Sequence, residues 1–150
     1  MGYYESIKRK ALKAGKLSWG EWADLIRVWW LLVGFDLALR TLPFPRVRRF
    51  AEKVRTVHRE EDAWKTIENK QATMHIARRN HLYEMGCLRE ALALQRTLGR
   101  EGMKAELKIG VRKEGDQLEA HAWLEYEGEA IGEPGAIADQ FLPLATVELK

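Results

Sequence analysis

The apolar residues of this chain change their spacing once, and that change limits what the chain can fold into. Up to Gly102 they recur every three or four positions, as in Leu88, Ala91, Leu92 and Leu98, with Gln95 on the same stripe. From Ala105 they alternate: Ala105, Leu107, Ile109 and Val111 are interleaved with Glu106, Lys108, Gly110 and Arg112. A period near 3.6 buries one face of a helix, and a period of two buries one face of a strand. Helices followed by strands, rather than alternating with them, predict an α+β domain with an antiparallel sheet.

Residues 1–82 read as helical. Ser18 with Glu21 three positions later forms a capping-box pattern, and the helix it opens runs to about Leu42, where Pro43-Phe44-Pro45 stops it. A second helix is expected from about Arg46 and a third from about Asp62, which would cap it. A central helix starts at Cys87 and ends at Gly99 and Gly102. After the first strand, Gly115-Asp116 predicts a turn. Leu118, Ala120, Ala122, Leu124 and Tyr126 then alternate with Glu119, His121, Trp123 and Glu125 in a second strand. Glu127-Gly128 turns the chain into a short third strand ending near Gly132-Glu133-Pro134, and Ala145 to Leu149 is expected as a fourth. The chain thus divides into a helical region, 1–82, and a core of helix and meander, 83–150, together one compact unit.

With 150 residues, one domain can bury a core without disulfides or metals as staples. The net charge of +3 is too small to argue for nucleic acid. Basic residues gather in Lys8-Arg9-Lys10 and in Arg46, Arg48, Arg49, Lys53 and Arg55, which fits a solvated helix face or a docking surface for an acidic partner. A single cysteine without a signal-peptide pattern points to the cytoplasm. The run Val28 to Phe35 is strongly apolar, but Asp24, Arg27, Asp36 and Arg40 interrupt it. A spanning helix needs about 20 apolar residues, so a buried or partner-covered helix is expected. Interfacial contact with a bilayer through Trp22, Trp29 and Trp30 is the lesser alternative. His58, His75 and His81 match no compact metal site, and no cofactor is expected.

The lone cysteine, Cys87, begins the central helix, where backbone N–H groups and the helix dipole favour a thiolate. Those same N–H groups suit an oxyanion. A thiol nucleophile needs a base and a group to orient that base. His121, mid-strand on the face shared with Trp123, is the candidate base. The chain returning antiparallel after Glu127-Gly128 makes Glu133 the first candidate to orient it, with Asp139 second and Glu125 third. Taken singly, Cys87 and His121 would pass for a buried small residue and a core histidine; as a pair they favour chemistry.

The pattern Cys87-Leu88-x-x-Ala91-Leu92-Ala93-Leu94-x-x-x-Leu98-x-x-x-Gly102, then Ile109-Gly110-Val111 and Ala120-His121-Ala122-Trp123-Leu124-Glu125, resembles the transglutaminase-like cysteine protease superfamily. More narrowly it resembles the leader peptidases of lasso-peptide biosynthesis, in the form whose recognition domain is a separate protein. Leu39-Arg40-Thr41-Leu42-Pro43-Phe44-Pro45 also looks like the helical N-terminal region of those enzymes. The resemblance implies a transglutaminase-like, papain-like core and a Cys-His-Asp triad that hydrolyses one bond of a ribosomally made precursor. It places the nucleophile at Cys87, the base at His121 and the acid at Glu133, where the family often has aspartate. It further implies a precursor peptide, a leader-recognition protein and an ATP-dependent cyclase as partners. The same triad can instead pass the acyl group to an amine, and a non-catalytic docking module is the remaining alternative.

Overall fold

A computed structural model describes residues 18–55, 62–81, 86–132 and 137–144. Helix α1 spans Trp19–Thr41, α2 Phe44–Ala51, α3 Ala63–Arg79 and α4 Cys87–Arg100. Strands β1 (Glu106–Glu114), β2 (Gln117–Tyr126) and β3 (Glu129–Ala130) follow, then a four-residue helix α5 (Ile137–Gln140) and strand β4 (Leu142–Pro143). The α+β order expected from the change of period is therefore present.

Local chemistry sets the helix ends. The Ser18 side chain accepts from the Glu21 amide at 3.3 Å, and the Glu21 carboxylate accepts from the Ser18 amide at 2.8 Å. Both partners of the capping box are in place, so two N–H groups that the helix leaves unpaired are satisfied. Leu42 closes α1 in extended conformation, and Pro43 caps α2, which starts two residues before the Arg46 expected from the proline pair. A proline early in a helix has no amide to waste. Asp62 does occupy the cap of α3, but its side chain makes no capping bond.

One core joins all four long helices to the sheet. Val28, Leu32 and Phe35 of α1, Val47 and Ala51 of α2, and Ile67, Met74 and Ala77 of α3 meet Leu92, Ala93 and Leu98 of α4. Leu107, Ala122, Leu124 and Ile131 close that core from the sheet side. Helix α4 is thus the buried centre, as its apolar stripe requires. Gln95 sits in that stripe because its amide donates to the carbonyl of Ala105 at 2.9 Å, satisfying a buried polar group.

The sheet is ordered β3-β2-β1-β4 and every pairing is antiparallel. Glu114 pairs with Gln117 and Gly110 with His121. Two expectations need correction here, and a third falls on residues outside the described ones. Gly99 does not end α4, which continues through it to Arg100. A Cβ on Gly99 would stand 2.6 Å from the backbone oxygen of Lys53, so this glycine allows close approach of two chain segments. The fourth strand is Leu142–Pro143; residues 145–149, where it was expected, lie outside the described residues. Finally, Leu118 and Ala120 are exposed although they share the parity of the buried Ala122 and Leu124. The hairpin is longer than the helical layer beneath it, and its outer half projects beyond the core.

Candidate active site

Cys87 is the first residue of α4, preceded by Gly86 in extended conformation at the cap. The amides of Arg89 and Glu90 are turned back to the Gly86 carbonyl. The thiol is half-buried and lies against the main core. Two residues on, the Arg89 guanidinium pairs with Asp36 of α1 at 2.7 Å, and Asp36 also receives Arg40 at 3.0 Å. Asp36 is buried. A carboxylate there, paired with two cations, fixes the first turn of α4 to the middle of the longest helix.

His121 sits on β2 directly opposite Gly110. Its ring stacks near-parallel with Trp123, centroids 6.2 Å apart, and lies 5.4 Å from Phe141. Trp123 and Phe141 are buried together with Ile137 in a small second core. The Arg112 guanidinium covers the Phe141 ring at 4.8 Å. Gly110 makes this arrangement fit: a Cβ there would stand 2.7 Å from Cβ of Phe141 and 3.0 Å from the Trp123 ring. A glycine inside a strand often marks such a close approach, and this was the available signal for a site position that periodicity alone does not reveal. Phe141 carries no comparable signal in the sequence.

The pleat separates neighbours on β2. Ala122 and Leu124 turn to the core lined by α4, while His121 and Trp123 take the face covered by Phe141. Helix α4 packs on β2, so the elements carrying thiol and imidazole meet, but the two side chains take opposite faces of the strand, the thiol on the helical side and the imidazole on the side of α5. Strand β3 pairs only with Glu125 and Tyr126, and Ile131 adds a bond to the Leu124 carbonyl. Among the described residues β3 pairs no further along β2 than Glu125.

The three candidates for the orienting acid part company. Glu125 is committed elsewhere: its carboxylate accepts from the Trp123 indole at 3.1 Å and pairs with Lys108 at 3.6 Å. Glu133 lies outside the described residues. Asp139 lies on α5, two positions before Phe141. Of the three histidines set aside as ligands, His58 lies outside the described residues, and His81 stacks on Trp29 with centroids 4.9 Å apart. His75 lies on α3, where burial, and then the cations of Arg78 and Arg79, lower its basicity. Among the described residues no group of three or more His, Cys, Asp or Glu could hold a metal ion.

A thiol opening a central helix, that helix against an antiparallel sheet, and a histidine on the sheet's second strand supply the residue types that nucleophilic acyl chemistry uses. The chain belongs to the transglutaminase-like superfamily, whose family model matches residues 29–146. No curated protein and no solved structure matches the chain. Membership of this superfamily allows either peptidase or acyltransferase activity.

Proposed function

We propose that this chain is a cysteine endopeptidase that removes the leader from a ribosomally made lasso-peptide precursor, acting with a separate leader-recognition protein. The Cys87 thiolate attacks the scissile carbonyl, and His121 as imidazolium gives its proton to the leaving amine. A water deprotonated by His121 then attacks the thioester, which expels the thiolate and releases the acid. No step calls for a metal or organic cofactor. The released core peptide carries a new amino terminus, which suits an ATP-dependent cyclase as the next enzyme.

The observation that supports this reading is the Cys87 thiol at the start of α4, a helix packed against the strand that carries His121. The resemblance of residues 87–134 to the leader peptidases favours peptide hydrolysis over transfer. Glu133 orients His121 in this mechanism; Asp139 is the alternative, supported by the approach of Phe141 from the same short segment to the imidazole ring.

The test is mass spectrometry of a precursor peptide incubated with the chain and its recognition protein. Two fragments are expected, and none with Cys87→Ala or His121→Ala in proteins that keep their circular dichroism. Glu133→Gln should slow cleavage more than Asp139→Asn; the opposite ranking moves the acid to Asp139. An amine-linked product would replace hydrolysis by transfer, and cleavage that survives Cys87→Ala would remove the nucleophile assignment.

A further inference from the structure

Helix α1 is apolar on two faces, and the described residues cover only one of them. Val28, Leu32 and Phe35 are buried against the core. On the other side Trp19, Trp22, Ile26, Trp30 and Leu37 are each between 46% and 94% exposed. Their spacing of three, four, four and seven confines them to an arc of about 80°, because each helical residue turns the chain by about 100°. At about 1.5 Å per residue this stripe is about 27 Å long. Between Trp19 and Leu37 the arc holds no polar side chain, its only other member being Val33. Trp30 is braced by Trp29, edge to face at 5.2 Å.

Charge follows the stripe. Residues 1–55 contain twelve lysines and arginines against five acidic residues, a formal +7, while residues 56–150 contain thirteen against seventeen, a formal −4. Five of the cations, Lys8, Arg9, Lys10, Lys13 and Lys16, immediately precede Trp19 in the chain. Helix α2, packed beside α1, exposes Arg46 and Arg49.

We propose that α1 docks this protein on an anionic lipid bilayer, its tryptophan stripe lying in the interface plane and the basic third of the chain facing the headgroups. A protein partner would need hydrogen bonds to fix its register, roughly one per 100–200 Å² of interface, and this stripe offers only the indole N–H donors of Trp19, Trp22 and Trp30 and no side-chain acceptor. A bilayer interface needs only apolar depth, aromatic rings at the headgroup level and cations. No helix of the described residues is long and apolar enough to cross a membrane, so the contact is superficial. The placement is independent of the peptidase reading.

Sedimentation of the full chain with vesicles tests it. Phosphatidylcholine vesicles containing about 30% phosphatidylglycerol should carry the protein down, with a blue shift in tryptophan emission and weaker binding as salt rises. Pure phosphatidylcholine should bind it at least tenfold less. Trp19→Ser, Trp22→Ser and Trp30→Ser together should weaken binding to anionic vesicles at least tenfold while circular dichroism is unchanged; a variant that does not fold is replaced by quenching of the unaltered protein with brominated lipids, which should be strong. Absence of binding to anionic vesicles, binding undiminished by the triple substitution, or absent brominated-lipid quenching overturns the proposal. A salt-stable dimer with no vesicle binding would assign the stripe to a second copy instead.

Discussion

Asp36 is the residue on which the two halves of the molecule are pinned. It is an acid inside an apolar helix, buried, with Arg89 on one oxygen and Arg40 on the other. Arg40 is mostly exposed and Arg89 is not, so the two cations are unequal partners. Replacing Arg89 by Met removes the less solvent-screened of these two cations. Removing one partner of a buried ion pair costs about 3–5 kcal/mol, and the partial exposure of Arg89, with Arg40 still in place, lowers the expectation to about 1–2 kcal/mol. Urea unfolding of Arg89→Met checks it; an unchanged midpoint would show that Asp36 is held without Arg89. The carboxylate was visible in the sequence only as an interruption of an apolar run, because its partner lies far along the chain on another helix. His121 and Trp123, by contrast, were legible as a same-face pair, since strand parity is a local property.

At the scale of elements, α4 decides how closely the chain can be folded around it. Its glycine at 99 abuts the Lys53 carbonyl, and the Gly99 carbonyl in turn accepts from the Arg55 amide at 3.0 Å. Alanine is intrinsically better than glycine in a helix by about 1 kcal/mol, yet the contact is with rigid backbone. Gly99→Ala is therefore expected to destabilise the protein by about 1–3 kcal/mol, the usual cost of overpacking, measurable by thermal unfolding; a stabilised variant would mean the 51–55 segment yields freely. Period and capping signals gave α1, α4, β1 and β2 close to their observed limits. They failed where tertiary contact overrides local pattern. Gly99 looked like a stop signal because only the folded chain shows what lies against it. The fourth strand is two residues of little strand character, Leu142 and Pro143, recruited by pairing with Val111 and Gly110. The second core over His121 depends on that recruitment, so no window of the sequence could announce it.

Across the whole molecule, Lys70 is the charged counterpart of the apolar core. From α3 it reaches Asp24 on α1 at 2.8 Å and Glu101 just after α4 at 2.9 Å, so one ammonium ties three elements. Burial alone would lower its pKa, but the hydrogen bonds and charges of Asp24 and Glu101 outweigh that and raise it. The folded chain then holds this proton more tightly than the unfolded chain, whose lysine titrates near 10.4. The resulting stability is complete below about pH 10.4 and is lost as the pH rises through the higher folded value. Lys70→Met should accordingly show a shallower loss of stability above about pH 10 than the parent, read from urea midpoints across alkaline pH; parallel slopes would assign the alkaline loss to other groups. The turn Gly115-Asp116 between β1 and β2 is exposed. Exposed turns usually tolerate insertions, but the hairpin it closes sets His121 opposite Gly110, and a slip of one residue would reverse the facing of every side chain along a strand. Its composition is free to drift while its length is not: two residues at the surface keep count for a histidine five positions away.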